Sequence, residues 1–125
     1  MLFRSKLPLI YANDDVALIP IAADEGDAKV VNPHTFVSTT AAIQQIYTIA
    51  QELGALDPDN ADFYRDNARE YASRIRRLKA QFMAELRELD VSDFRCATMH
   101  GAYGYLMQEF GLQVAAVIEI GRAHV

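Results

Sequence analysis

The feature that most constrains this chain is a long apolar stripe in its middle, uninterrupted by glycine or proline. Its members recur every three or four residues: Ala61, Tyr64, Ala68, Tyr71, Ile75, Leu78, Phe82, Leu86 and Leu89. This spacing places them on one face of an α-helix. Asp57 and Pro58 form a start signal, since Asp is a good N-cap and Pro suits the first turn. The pattern predicts one helix over about 58–89, roughly 48 Å long at 1.5 Å per residue.

The residues before this helix predict a second helix and some extended chain. Short apolar runs at 7–12 and 16–22 flank a turn-forming cluster at 13–15, and they are typical of strands or extended segments. A helix capped by Ser38, Thr39 or Thr40 is expected to end at Gly54. Its apolar face comprises Ile43, Ile46, Tyr47, Ala50 and Leu53.

The last third of the chain has the pattern of a βαβ unit. A short strand is predicted at 94–99, a turn at His100 and Gly101, and a helix at 102–110 capped by Gly111. The apolar run at 112–120 is typical of a buried parallel strand. The fold class predicted from the residues is therefore α/β, with a long helix leading into an α/β layer.

Composition excludes several classes of protein. The net charge of −5 argues against a nucleic-acid-binding surface, which needs an excess of Lys and Arg. Cys96 is the only cysteine, so neither an intramolecular disulfide nor a thiolate zinc cluster can form. The basic residues near the start precede Pro8 and a polar cluster, which interrupt a signal-peptide core. Common enzyme motifs, including the Walker loop and the nucleophile elbow, are absent from the sequence.

Two histidines occupy positions where ligands often bind. His100 is predicted at the carboxyl end of a parallel strand, the edge at which ligands of α/β sheets collect. Pro33 holds Asn32 in an extended conformation, so His34 is expected on a loop before a helix. Neutral imidazole is a common metal ligand. The two residues nevertheless lie 66 positions apart, and stable zinc sites use three or four ligands. Spacing alone therefore favours ordinary histidines over a metal site.

Three segments together resemble one family, the solute-binding proteins of zinc and manganese ABC transporters. The segment 32–38, Asn-Pro-His-Thr-Phe-Val-Ser, is similar to the family's Asp-Pro-His-x-Trp-Leu-Ser. The segment 56–61, followed by Tyr64, Asn67 and Tyr71, resembles the start of its long inter-lobe helix. The segment 99–106, Met-His-Gly-Ala-Tyr-Gly-Tyr-Leu, resembles its Phe-His-Asp-Ala-Tyr-Gly-Tyr-Phe. The matches occur in the family's order over roughly residues 30–118.

The resemblance implies a two-lobed protein with a divalent metal ion in the cleft between the lobes. Residues 1–56 would be a remnant of the N-terminal lobe, 57–90 the connecting helix, and 91–118 the start of the C-terminal lobe. His34 and His100 would be ligands from opposite lobes, and an ABC permease in the membrane would be the partner. Zn²⁺ is favoured over Mn²⁺, because manganese-selective relatives tend to have Glu where this chain has His100. The location implied is periplasmic or otherwise extracytoplasmic.

This chain departs from the family pattern in ways that bear on the site. Asn32, Phe36 and Gly101 stand where Asp, Trp and Asp are usual. The resemblance also implies a further histidine ligand upstream of Met1 and an acidic ligand downstream of Val125, so the chain is expected to be a fragment.

The last seven residues are expected to be an artefact. Residues 119–125 match, in one reading frame, the translation of an adapter used in short-read sequencing. His124 is therefore not counted as a ligand.

Two other functions stay open at the level of sequence. A helical interaction or regulatory module would use the Ala61–Leu89 stripe as its contact surface and bind no metal. A small α/β enzyme would use the Gly101–Gly104 turn to bind an anionic substrate. The hypothesis of a metal-binding transport component predicts a protein that is not an enzyme.

Overall fold

The structure, a computed structural model, describes residues 7–20 and 31–118. Its elements, in chain order, are α1 (Thr39–Leu56), α2 (Ala61–Arg87), β1 (Cys96–Thr98), α3 (Gly104–Glu109) and β2 (Val114–Val117). A single 3-10 turn precedes each helix, at Thr35–Val37, Pro58–Asn60 and Gly101–Tyr103. Among the described residues, no helix combines the length and the apolar character that crossing a bilayer requires.

Helix α1 begins as predicted and ends two residues later than predicted. Ser38 is its N-cap, and the Ser38 hydroxyl accepts a hydrogen bond of 3.2 Å from the backbone N–H of Ala41. The helix continues through Gly54 to Leu56. A Cβ at position 54 would lie 3.2 Å from the Cβ of Ala61. The glycine therefore permits a close approach of α1 to the start of α2, and it does not act as a C-cap.

The boundary between the two long helices is built by Asp57. Its carboxylate accepts hydrogen bonds from the Asn60 amide at 2.9 Å and from the Tyr64 hydroxyl at 2.8 Å. These bonds, the one from Asn60 first, lower the pKa of Asp57 below its usual value. Pro58 stands in the first turn, as predicted. The long helix is confirmed, with bounds of Ala61–Arg87 in place of about 58–89.

Helices α1 and α2 pack against each other through small side chains. Ala68 and Ala72 of α2 are 5% and 0% exposed, and Ala41 of α1 is also buried. Small residues let the two helix backbones come close. Larger side chains on the same stripe, such as Tyr71 and Phe82, stay about half exposed. The predicted core face is thus only partly covered within the part of the chain that the structure describes.

The βαβ unit is confirmed, with shorter strands than predicted, and β2 is mostly exposed within the described residues rather than buried as predicted. β1 and β2 pair in parallel, with Cys96 opposite Val114 and Thr98 opposite Val117. Helix α3 lies between them in the chain and ends before Gly111, whose φ of +69° is the left-handed conformation that favours glycine at a helix end. The fold class α/β predicted from the sequence is therefore correct.

No strand forms within residues 7–20, the described part of the segments 7–12 and 16–22, for which the sequence predicts strands or extended chain. Within these residues the predicted turn at 13–15 forms, and an isolated antiparallel bridge joins Pro20 to Val31. A strand needs a ladder of backbone hydrogen bonds, and Pro8 and Pro20 each lack the N–H donor. Leu7 is 75% exposed, so the apolar pattern does not mark a buried face. The predictions for residues 21–30 and 119–125 lie outside the described residues.

Candidate metal site

His34 lies on a loop, as predicted, at the entrance to the 3-10 turn that leads into α1. Its backbone has φ −87° and ψ 44°, so it stands outside regular structure. The side chain is half-buried. Two residues earlier, Asn32 is 8% exposed and holds the loop from within. The position of His34 is therefore fixed by the start of α1 on one side and by Asn32 on the other.

His100 follows β1 and precedes the 3-10 turn before α3. Its backbone is extended, with φ −157° and ψ 147°, and its side chain is exposed. The residue lies two positions beyond Thr98, the last residue of the strand. His100 thus occupies the carboxyl edge of the parallel pair, as the sequence predicted, where side chains can meet a ligand.

The structure brings the two histidines together although they lie 66 positions apart in the chain. Their Nε2 atoms are 3.0 Å apart. The ring centroids are 4.7 Å apart, with an interplanar angle of 87°. For comparison, Zn–N bonds of about 2.0–2.1 Å at a tetrahedral angle place two ligand nitrogens about 3.3 Å apart. The observed separation also suits a hydrogen bond between the rings. Small side-chain rotations would let one ion bond to both nitrogens.

Asn32 orients the His34 ring. Its Oδ1 accepts from the backbone N–H of His34 at 3.0 Å and contacts the ring Nδ1 at 2.8 Å. Its Nδ2 donates to the carbonyl oxygen of Gly101 at 2.8 Å. These partners, one a donor and one an acceptor, assign the two ends of the amide. An amide oxygen only accepts, so Nδ1 of His34 carries the ring hydrogen and Nε2 is left with the lone pair that a metal ligand needs.

Tyr105 of α3 holds the other side of the Asn32 backbone. The Tyr105 hydroxyl donates to the carbonyl oxygen of Asn32 at 2.8 Å and accepts from the backbone N–H of Ile19 at 2.9 Å. The side chain is 6% exposed. This residue belongs to the segment that carries the family resemblance, but its role was not predicted. It ties the loop before His34 to the helix after His100.

Glu109, the last residue of α3, makes a further link that the sequence did not predict. Its carboxylate accepts hydrogen bonds from Ser38, Thr39 and Thr40 at the start of α1 and pairs with Lys79 of α2. Burial raises the pKa of Glu109, but the bonds from Lys79, Thr39, Thr40 and Ser38 outweigh it and lower the pKa to about 2. Glu109 is therefore ionised throughout the physiological range. No local pattern could have identified it, because its partners are distant in the sequence.

Over residues 7–20 and 31–118, no group of three or more His, Cys, Asp or Glu side chains is placed to hold a metal ion. The candidate site in this part of the chain thus consists of the two imidazoles and their supports. Two nitrogen ligands are fewer than the three or four protein ligands of stable zinc sites.

Comparison with solved structures identifies the class of protein to which this fold belongs. The structure of the SBP FpvC from Pseudomonas aeruginosa in complex with Mn²⁺ superposes with a TM-score of 0.81 and 52% sequence identity, over 93% of this chain and 43% of that chain. The same SBP has also been solved in complex with Ni²⁺. The fold is thus that of part of a two-lobed metal-binding solute-binding protein, as the sequence predicted.

The family assignment follows from the sequence comparisons. The profile of zinc-uptake complex component A, periplasmic (ZnuA), matches residues 4–124, and the chain belongs to this family. The high-affinity zinc uptake system protein ZnuA of Bacillus subtilis is 29% identical over 83 residues, 66% of this chain and 25% of that protein. The iron-binding protein YfeA of Yersinia pestis is 30% identical over 97 residues, 77% of this chain and 31% of that protein. The chain therefore spans about a quarter to a third of the length of these relatives.

Proposed function

We propose that this chain is part of the substrate-binding component of an ABC importer for a divalent metal ion, and that His34 and His100 are two of the ligands. The observation that supports this most directly is the 3.0 Å separation of the two Nε2 atoms. Family membership supports the transport role over a helical interaction module or an enzyme. The metal would be the transported substrate, an ABC permease the membrane partner, and the outside of the cytoplasmic membrane the place of action.

We propose Zn²⁺ as the physiological substrate. Imidazole nitrogen suits zinc, whereas carboxylate-rich sites suit manganese. The relatives named above include a zinc protein, an iron protein and a protein solved with Mn²⁺ and Ni²⁺, so the family as a whole does not fix the metal. The support for zinc is the nitrogen character of the His34 and His100 pair.

The chain's own residues would act in the following way. Asn32 keeps the lone pair of His34 Nε2 directed at the ion by accepting the hydrogen of the other ring nitrogen. Asn32 also bonds to the carbonyl of Gly101, so the segment that carries His100 is held in register with the loop that carries His34. In the proposed two-lobed protein, closing of the lobes would complete the coordination and opening would release the ion to the permease.

Calorimetric titration with Zn²⁺ tests this proposal. We expect weak binding by the chain, since two imidazoles are fewer ligands than a stable site uses, and further loss of roughly tenfold or more in His34→Ala and in His100→Ala. His124→Ala is the matched control, because the adapter hypothesis excludes this third histidine, and it should leave the affinity unchanged. Equal affinity in the native chain and the His34→Ala, His100→Ala double variant would refute the assignment.

A substitution at His100 tests the choice of metal. His100→Glu replaces an imidazole by a carboxylate and should move the ratio of Zn²⁺ to Mn²⁺ affinity towards Mn²⁺. An unchanged ratio would contradict zinc selectivity through this residue.

A further inference from the structure

We propose that Glu109 is a positioning residue that sets the distance between His34 and His100, although it is itself no metal ligand. This inference rests on the proposed function and adds to it a residue outside the histidine pair. It is carried by the contacts that the carboxylate of this α3 residue makes with two other helices, α1 and α2. Glu109 is the last residue of α3. The hydroxyl and N–H groups that donate to its carboxylate belong to residues at the start of α1, and its cationic partner Lys79 lies on α2.

The contacts with α1 occupy both carboxylate oxygens. Oε2 accepts from the Ser38 hydroxyl at 2.8 Å and from the backbone N–H of Thr39 at 2.9 Å. Oε1 accepts from the backbone N–H of Thr40 at 3.1 Å and from its hydroxyl at 2.6 Å. The Thr39 hydroxyl also donates to Oε1. A negative charge at a helix N-terminus is stabilised by the helix dipole and by the free N–H groups there. Glu109 therefore caps α1 from another helix.

Lys79 completes the charge balance. The Glu109 side chain is 8% exposed and the Lys79 side chain 29%, so the pair is largely withdrawn from water. A buried carboxylate without a partner is costly, and removal of one partner from such a pair is strongly destabilising. The Lys79 amine also donates to the Thr40 hydroxyl at 3.1 Å. The Glu109 carboxylate thus connects the three helices at one place.

Short stretches of regular chain connect these Glu109 contacts to the two histidines. Ser38 follows His34 by four positions through one 3-10 turn, which is closed by a bond of 3.0 Å from Ser38 N to Thr35 O. Glu109 follows His100 by nine positions through a 3-10 turn and the single short helix α3. The same two segments therefore meet twice, once at the imidazoles and once at Glu109. A shift of α3 relative to α1 would change the separation of the two Nε2 atoms.

A double-mutant cycle separates positioning from general stabilisation. Zn²⁺ affinity is measured calorimetrically for the 125-residue chain, for Glu109→Gln, for His34→Ala, and for the double variant. If Glu109 acts by placing His34 beside His100, Glu109→Gln weakens Zn²⁺ binding roughly tenfold in the native chain but has no effect once His34 is absent. A role in fold stability alone would give equal effects in both backgrounds, and that result would overturn the proposal.

A spectroscopic measurement checks the same point without reference to affinity. Cu²⁺ bound to the native chain is expected to show the electron spin echo signature of two coordinated imidazoles. In Glu109→Gln the signature should fall to that of one. Two imidazoles in the variant would overturn the positioning role. Asp66→Asn is the matched control, because it removes a carboxylate from an exposed ion pair with Arg69 on α2, and it should leave both readouts unchanged.

A second variant keeps the test decisive if Glu109→Gln unfolds, as far-ultraviolet circular dichroism would reveal. Thr39→Val removes one hydroxyl donor to Glu109 and leaves the ion pair with Lys79 in place, so it should weaken Zn²⁺ binding in the same His34-dependent way, to a smaller extent. Native affinity in the folded variants, together with weakening by His34→Ala, would refute the positioning role and leave the transport proposal standing. Native affinity in His34→Ala itself would refute both.

Discussion

The side-chain amide of Asn32 donates a hydrogen bond of 2.8 Å to the carbonyl oxygen of Gly101, the residue after His100. The other end of the same amide accepts from the backbone N–H of His34. One side chain therefore bonds to both segments that carry the histidines. The amide suits both contacts, because the contact with Gly101 needs a donor and the contact with His34 needs an acceptor, whereas an ionised carboxylate only accepts.

Replacement of Asn32 by Asp should destabilise this chain, although Asp is the residue that the family pattern would put there. The carboxylate keeps an acceptor for His34 but has no N–H for Gly101, and it places a negative charge against a carbonyl oxygen. We expect Asn32→Asp to lower the free energy of unfolding by about 1–3 kcal/mol in urea titrations at neutral pH. Asn67→Asp, on the exposed surface of α2, is the control and should change it by less than about 0.5 kcal/mol. Equal effects would argue against the bridge.

Stability should fall on acidification in a way that depends on Glu109. Its pKa in the folded chain is about 2, against an ordinary value of 4.5, so the carboxylate contributes stability above pH 4.5. That contribution is lost as the pH falls from about 4.5 to about 2, because the unfolded chain then binds a proton that the folded chain resists. After allowance for solvent screening of Lys79, it is on the order of 2 kcal/mol.

The measurement is the difference in unfolding free energy between the native chain and Glu109→Gln, taken across this pH range. Other carboxylates titrate in both proteins and cancel in the difference. The difference should be constant above pH 5 and should shrink below about 4.5. A difference that stays constant down to pH 2.5 would show that the ionised form of Glu109 is not the source of the stability.

The contact between α1 and α2 should not tolerate a larger residue at its centre. Ala72 is 0% exposed, so the extra atoms in Ala72→Leu have no space without movement of the helices. We expect a loss of about 1–3 kcal/mol in unfolding free energy, measured by thermal or urea denaturation. Ala80→Leu on the exposed side of the same helix is the control, and it should be close to neutral. A neutral Ala72→Leu would contradict tight packing around Ala72.

The sequence predicted those parts of the fold that depend on local signals. The stripe from Ala61 to Leu89 and the Asp57–Pro58 boundary define α2 because helix periodicity and capping act over a few residues. The end of α1 was predicted two residues too early. Glycine is typical of a helix C-cap, but Gly54 lies within the helix, where it allows a close approach to Ala61. Near the start the pattern left strands and extended chain as alternatives, and no strand forms over residues 7–20, since strand formation depends on a partner that local pattern does not reveal.

The sequence predicted the two histidines of the candidate site. It did not predict the roles of the residues that hold them, Asn32, Tyr105 and Glu109. His34 and His100 were proposed as ligands because flanking motifs mark them, and the structure brings them together although nothing in their spacing required it. The family resemblance drew attention to Asn32 as a departure, but its bond to Gly101 depends on tertiary structure. Glu109 carries no sequence signal, because its role comes entirely from the start of α1 and from Lys79. The lobe boundaries at 56 and 90 and the artefact at 119–125 stay predictions.

The arrangement of the two imidazoles has a consequence for how an ion could enter. His34 directs its ring hydrogen to Asn32, so in the neutral pair the hydrogen between the two Nε2 atoms belongs to His100. An ion bonded to both atoms needs that hydrogen elsewhere, which requires His100 to change tautomer and carry it on Nδ1. Because His100 is exposed, water can relay the proton around its ring. Loading would then be coupled to a proton relay at one imidazole, while the other is ready for the ion beforehand.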